Sequence, residues 1–217
     1  MPIVSAPADE VSADVVFGFA IKEVGAGQRH CGAIYRPNDD EVRFLHLAFH
    51  YDLRNELLNA TYWWAKSGLQ PENQMIMAAL ACNIAEADPP IPYGFDMQGN
   101  IFDPGSGELQ PGPPGTGLTC ASFVLAMLKT YGFEPIDFSK WSTRDEDAQW
   151  QARILAAMQQ NGASEQHINA VRDGSVALRF RPEEVVATSS QDADNWPYEQ
   201  DQAVKLAQEV LDDMGCA

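Results

Sequence analysis

Three residues in this chain have the types and order needed for thiol chemistry: His30, His46 and Cys120. Cys120 sits in PGPPGTGLTCASFVLAMLKTYGF, where a Gly/Pro-rich approach gives way to apolar residues at helical spacing, Phe123, Val124, Met127 and Leu128, closed by Tyr131-Gly132. Thr119 is the expected N-cap, which puts Cys120 in the first helical turn. A thiol there faces unpaired backbone N–H groups and the positive end of the helix dipole, and both favour the thiolate, which is the nucleophilic form. The competing reading makes Cys120 a small buried hydrophobe that happens to start a helix. A cysteine nucleophile also needs a base to take its proton and return it to a leaving group, and a third polar group to fix the tautomer of that base. His30 and His46 supply those two types. The nearest chemical rival is a metal site at His46-x-x-x-His50, but Leu47 stands where zinc peptidases carry a glutamate. On a strand those two histidines are roughly 13 Å apart, too far for one ion. No cofactor and no metal is expected.

The elements that must position these residues follow from periodicity. DVVFGFAIK (14–22), RHCGAIYR (29–36) and EVRFLHLAF (41–49) have the β-branched, aromatic and alternating character of strands. GAGQ and Asn38-Asp39-Asp40 supply the turns of an antiparallel meander. Alternation puts His30, Gly32 and Ile34 on one face of the second strand and Phe44, His46 and Ala48 on one face of the third, so the two histidines can share a side. Residues 52–88 read as two helices, DLRNELLNATYWWAKSG and then a segment opened by Pro71, with Tyr62, Trp63 and Trp64 as core. YGFDMQGNIFD reads as a hairpin turning at Gln98-Gly99-Asn100, followed by a long loop that delivers the chain to Cys120. Beyond it, Thr143 with Glu146 three residues on predicts a capping box for a helix ending at Gly162, and Ser164 caps a short helix carrying a surface His167. VALRFRPEEVVATSS reads as a strand broken by Pro182, and EQDQAVKLAQEVLDDM as an amphipathic terminal helix. Residues 1–13 read as a loose leader.

Composition bounds the partners. The 217 residues are 45 % hydrophobic, enough for one sizeable core, while a formal charge of -17 excludes the basic stripe that nucleic acid requires and disfavours anionic membranes. A cationic or neutral partner is expected on that ground. No signal-peptide pattern and no run of transmembrane length are visible, which points to a cytoplasmic protein or one exported without a cleaved signal peptide. Four cysteines at positions 31, 82, 120 and 216 form no Cys-x-x-Cys pair and no disulfide framework.

His30-Cys31-Gly32-Ala33-Ile34-Tyr35, His46 on the next strand, and Cys120-Ala121-Ser122-Phe123-Val124 opening a helix, in that order, resemble the permuted NlpC-type branch of the papain-like cysteine peptidases and amidases. The likeness covers residues 28–50 and 117–132. It implies a single α+β domain over 1–217, papain-like and circularly permuted, with an antiparallel sheet packed against the nucleophile helix; the helical insert expected at 52–88 departs from the family pattern, and a C-terminal helical region is expected at 143–217. It implies a cysteine hydrolase acting on a peptide or amide substrate, cell-wall peptides and isopeptides included, with Cys120 as nucleophile, His30 as base and His46 as third residue. The chain departs from the pattern in having Cys31 after the histidine and a histidine as third residue, which leaves His50 and Asp52 open as alternatives for that role. Acyl transfer or thioester hydrolysis on the same fold, and a non-catalytic protein-binding module, are the alternatives.

Overall fold

The computed structural model describes residues 3–6, 10–25, 27–38, 41–97, 99, 101–110, 112–113, 115–173 and 177–216. Asp39 and Asp40 of the second expected turn, and Gln98 and Asn100 of the third, lie outside them. The first three strands are β1 (Phe17–Gly25), β2 (Gln28–Asn38) and β3 (Glu41–Phe49), an antiparallel meander as their alternation predicts. Two further strands complete the sheet, β4 (Asp52–Leu57) beyond β3 and β5 (Trp63–Lys66) beyond β1, so the order is β4-β3-β2-β1-β5. The architecture is α+β with a five-stranded antiparallel sheet.

The expected helix over 52–67 is therefore a correction: that segment is β4 and β5. Its leucines at 53, 57 and 58 have helical spacing, yet Leu57 is 57 % exposed and Leu53 pairs across from Leu47. The hairpin turn that converts the segment into a strand is His50-Tyr51, with Tyr51 at φ 55, and neither residue is a conventional turn signal. Asp52, Arg54 and Glu56 alternate along this edge strand, where charges discourage pairing with another chain. The second half of the expected insert is helical, α1 (Pro71–Ala87), with Pro71 in its first turn and Asp88 as a left-handed C-cap.

After α1 the chain makes a two-stranded ribbon, β6 (Ile101–Phe102) with β7 (Leu109–Gln110). Residues 92–96 instead bond to 117–118: the N–H of Leu118 donates to the carbonyl of Pro92 (2.9 Å) and that of Gly117 to Asp96 (2.8 Å). This sets Tyr93 beside the start of α2 (Cys120–Thr130). Four more helices follow, α3 (Asp147–Gln160), α4 (Glu165–Arg172), α5 (Pro182–Ser189) and α6 (Gln200–Asp213). The capping box at Thr143 does not form, because Glu146 pairs with Arg181 and the N–H of Arg144 is taken by the Asp147 carboxylate. The strand expected across Pro182 is α5: proline opens the helix, and the Glu184 carboxylate accepts the N–H of Arg181 at 3.0 Å. The N-terminal segment is pinned, since the Ile3 and Val4 N–H groups donate to Asp213 and Ser5 bridges to Trp64. No helix among the described residues is long and apolar enough to cross a membrane.

One face of the sheet, carrying Phe19, Ile21, Cys31, Ala33, Leu45 and Leu47, packs on α1, α2 and α5. The other carries Ala20, Ile34 and Phe44, closed over by Val11, Val15, Tyr62 and Trp64. Tyr62 and Trp64 are thus core, as expected. The paired register of β2 with β3 ends at Ala33↔Leu45, whereas β3 stays paired with β4 as far as Phe49↔Asp52 and β2 with β1 as far as Gln28. The sheet forks at Gly32.

Gly32 is required at the fork by steric fit. A Cβ there would lie 2.5 Å from the His46 Cβ, 2.7 Å from the Leu45 carbonyl oxygen and 2.8 Å from the Phe44 ring. Overpacking of this kind costs about 1–3 kcal/mol. Gly32→Ala is expected to lower the unfolding free energy by that amount, read as a lower urea midpoint at unchanged m-value, and an alanine variant as stable as the wild type would show that β2 and β3 are not this close.

Candidate functional site

Local sequence builds the Cys120 end of the site first. The Thr119 side chain accepts the N–H of Ser122 (3.2 Å) while the Ser122 hydroxyl accepts the N–H of Thr119 (2.7 Å), a reciprocal cap that fixes where α2 begins. Cys120 is the first helical residue and is 8 % exposed. Its N–H and that of Ala121 belong to the group of N–H donors that a helix start leaves without an intrahelical partner.

Cys31, fully buried on the helix-packed face of β2, lies against Cys120. The neighbouring Cys31 thiol, more than any other group, holds Cys120 well below the usual thiol range. The charge of His30 acts in the same direction and burial opposes it. The backbone N–H of Cys31 adds a further donor. Cys31 shows the complementary effect: the Cys120 sulfur beside it, and its own burial, push its thiol far up, so one thiol of the pair ionises and the other stays protonated as its donor.

His30 and His46 are joined directly, Nε2 of His30 to Nδ1 of His46 at 2.7 Å. Nε2 of His46 reaches the Glu56 carboxylate at 3.2 Å. An acceptor-only carboxylate at that end assigns the proton order along the line. His46 carries its proton on Nε2 and donates to Glu56, its bare Nδ1 accepts from Nε2–H of His30, and Nδ1 of His30 is left for the thiol. His46 is 3 % exposed, with its ring stacked on Phe44 at 4.3 Å. Burial first, and then the charge of His30, push its pKa down to about 4, against the opposing pull of Glu56. His46 is neutral at pH 7 and serves as a fixed acceptor.

The three residues singled out in the sequence are thus brought together, and Glu56 joins them. Glu56 was masked by the helical reading of 52–67; alternation of Asp52, Arg54 and Glu56 opposite β3 is the signal that would have found it. Of the alternatives for the third position, Asp52 is engaged by Arg54 (2.6 Å), and His50 lies elsewhere, its Nδ1 accepting the N–H of Tyr93 at 3.1 Å. His167, expected at the surface, is half-buried and donates from Nε2 to the Tyr93 carbonyl at 2.8 Å, its ring 4.9 Å from that of His50. Two histidines form the line to Glu56 and the other two clamp the main chain of Tyr93. Among the described residues no group of three or more His, Cys, Asp and Glu side chains is arranged to hold a metal ion.

His30, His46, Tyr93 and Cys120 line a cavity of about 450 Å³ whose walls come from both faces of the sheet. From the helix-packed side it is lined by Cys120, Tyr93 and Phe49, and from the other by Lys22, Tyr62 and His46. That volume falls within the range of small-ligand sites. Burial, followed by the charges of Cys120 and Cys31, raises the Tyr93 phenol far above its usual pKa, so its hydroxyl stays a donor. A thiolate, a neutral imidazole, an N–H pair at a helix start and a phenolic O–H meeting in one cavity can add a nucleophile to a carbonyl and stabilise the resulting oxyanion. Comparison of the chain with protein-family models, curated proteins and solved structures returned no match.

Two measurements follow from these electrostatics. An ordinary thiol loses alkylation rate about tenfold per pH unit below its pKa near 8.5. Cys120 should keep its iodoacetamide rate within about threefold between pH 8 and pH 6, ahead of Cys31 and Cys82 by peptide mass spectrometry. A rate that falls in step with the other thiols would remove the stabilised thiolate.

The second concerns His46, which titrates near 4 in the fold and near 6.5 when unfolded. Between those values the unfolded chain binds a proton that the folded chain refuses. The stability held by neutral His46 is therefore complete above about pH 6.5 and is lost as pH falls toward 4. His46→Gln can accept from His30 and donate to Glu56 without titrating, and its urea midpoint should drop less than that of the wild type between pH 7 and pH 5. An equal drop in both would mean that His46 is already charged in the fold.

Proposed function

We propose that this protein is a cysteine hydrolase of the papain-like type, with the permuted NlpC-type order, that cleaves an amide or peptide bond. The observation that carries the proposal is the hydrogen-bonded line from His30 through His46 to Glu56, whose His30 end shares the wall of a substrate-sized cavity with Cys120. The α+β sheet packed on a nucleophile helix supports the same reading, as does the chain order of base, orienter and nucleophile.

The chemistry runs through this chain's own groups. The Cys120 sulfur attacks the carbonyl carbon, forming a C–S bond, and the carbonyl oxygen takes the negative charge. The N–H of Cys120 and the Tyr93 hydroxyl are the donors for that charge. Gln110, the glutamine upstream of the nucleophile, sits exposed on β7 and is not part of the cavity wall. Protonated His30 gives its proton to the departing amine as the C–N bond breaks, leaving a thioester on Cys120. His30, now neutral, takes a proton from water as its oxygen adds to the thioester, and collapse expels the thiolate and leaves the carboxylic acid, which loses its proton to solvent. Throughout, neutral His46 accepts Nε2–H of His30, so the base keeps Nδ1 toward the sulfur, and Glu56 stabilises that arrangement from its far end.

Fluorescent release from a panel of acyl aminomethylcoumarin amides tests the proposal. Cys120→Ala and His30→Ala should be dead to a similar depth, because members of a catalytic unit are not additive. His46→Ala should retain about one to three orders of magnitude more activity than Cys120→Ala, and Glu56→Ala should lose only about tenfold. If all four folded variants turn over like the wild type, hydrolysis does not pass through this line.

A further inference from the structure

The charge of the cavity is opposite to that of the chain. The protein has 14 Lys and Arg against 31 Asp and Glu, yet Lys22, Arg29, Arg54 and Arg179 line the cavity and no carboxylate does. Two of the four cations have partners: Arg29 pairs with Glu183 at 3.3 Å and Arg54 with Asp52 at 2.6 Å. Lys22 and Arg179 have no carboxylate within salt-bridge distance among the described residues. Lys22 lies over the Tyr62 ring at 4.2 Å, directly across the β1–β2 ladder from His30.

Arg179 is the more defined of the two. Its guanidinium lies over the Trp150 ring at 4.6 Å, and its Nη2 donates to Gln28 Oε1 at 3.3 Å. Stacking on the ring and the Gln28 bond fix the plane of the fork and leave its other N–H donors without a protein acceptor among the described residues. Burial, and then the neighbouring Arg181, depress the guanidinium pKa, while Asp147, Glu183 and Glu184 oppose that shift without coming within salt-bridge distance of Arg179. A planar, oriented fork is the geometry that receives a carboxylate on two parallel N–H···O bonds.

We propose that the cavity selects a substrate bearing a carboxylate close to the scissile carbonyl, with Arg179 as the residue that binds it and Lys22 adding to the positive field. This rests on Cys120 being the nucleophile, and it departs from the cationic or neutral partner that net charge alone suggests. The acidic exterior acts at long range and is screened by salt, while the cations inside the cavity act at contact distance in a less polar medium.

The test uses two alkylating agents of nearly the same size, anionic iodoacetate and neutral iodoacetamide. In both the Cys120 sulfur bonds to the methylene carbon and iodide leaves. The probe is the iodoacetate-to-iodoacetamide rate ratio at Cys120, divided by the same ratio for glutathione. The wild type should exceed glutathione on the order of tenfold, and Arg179→Gln should cut that preference by about fivefold or more, with Arg179→Lys between the two. Raising salt from 0.05 to 0.5 M should erode the wild-type preference only partly, which gives a second reading on unmodified protein should the Arg179 variants fail to fold. A wild-type ratio equal to that of glutathione, with Cys120 still fast toward iodoacetamide, overturns the carboxylate site and leaves the hydrolase reading standing. A preference unchanged in Arg179→Gln removes Arg179 as its source. A Cys120 inert to both reagents overturns the nucleophile and this inference with it.

Discussion

The site depends on one hydrogen bond, the 2.7 Å link between Nε2 of His30 and Nδ1 of His46. Two imidazoles bonded nitrogen to nitrogen can share only one proton at that contact, and two adjacent imidazolium rings would repel. Burial of His46 under Phe44 decides which ring stays neutral, and Glu56 decides which nitrogen of that ring is bare. The consequence reaches the sulfur. With Nε2 of His30 committed to His46, Nδ1 is the ring nitrogen left for the proton transfer proposed with Cys120.

That bond in turn requires the fork. Strict alternation places Cys31 on the helix-packed face of β2 and His30 on the other, so a continuous sheet would separate the His30 ring from a side chain at the start of α2. Ending the β2–β3 ladder at Ala33↔Leu45 opens a passage at which side chains from both faces meet, and Gly32 allows His46 to pack against the β2 backbone there. The same opening explains the second cysteine. Cys31 is the residue on the helix side of the fork, and a polarisable S–H at that position gives the thiolate a donor where an aliphatic residue would give only volume.

How much of this was legible in the sequence varies with how local the cause is. β3 at 41–49, the start of α2 at Cys120 and its Thr119 cap could be read because alternation and capping are set within a few residues. The pairing of His30 with His46 could be read because two short turns leave one register open. β4 could not, since a turn at His50-Tyr51 carries no Gly or Asn and the leucines of 53–58 imitate helical spacing, and Glu56 was lost with it. Tyr93 and Arg179 had no local signal at all: one is carried to α2 by backbone bonds to 117–118, and the other reaches the cavity from the segment before α5.

A thiolate and a cationic pocket would both be costly if each stood alone in a buried site, and here each offsets the other. The sulfur anion sits in a cavity walled by Lys22 and Arg179, while those cations, set in a chain of charge -17, gain from every carboxylate on the surrounding surface through longer-range attraction. Direct neutralisation of Arg179 and Lys22 by surface carboxylates would satisfy the charges but leave nothing for a ligand. Holding Arg179 by Trp150 and Gln28 instead, an aromatic face and an uncharged amide, keeps the cation oriented without cancelling it. Asp147, Glu183 and Glu184 act on Arg179 from beyond salt-bridge distance, and in the proposed reading the partner at contact distance is an anion entering the cavity that also holds the sulfur.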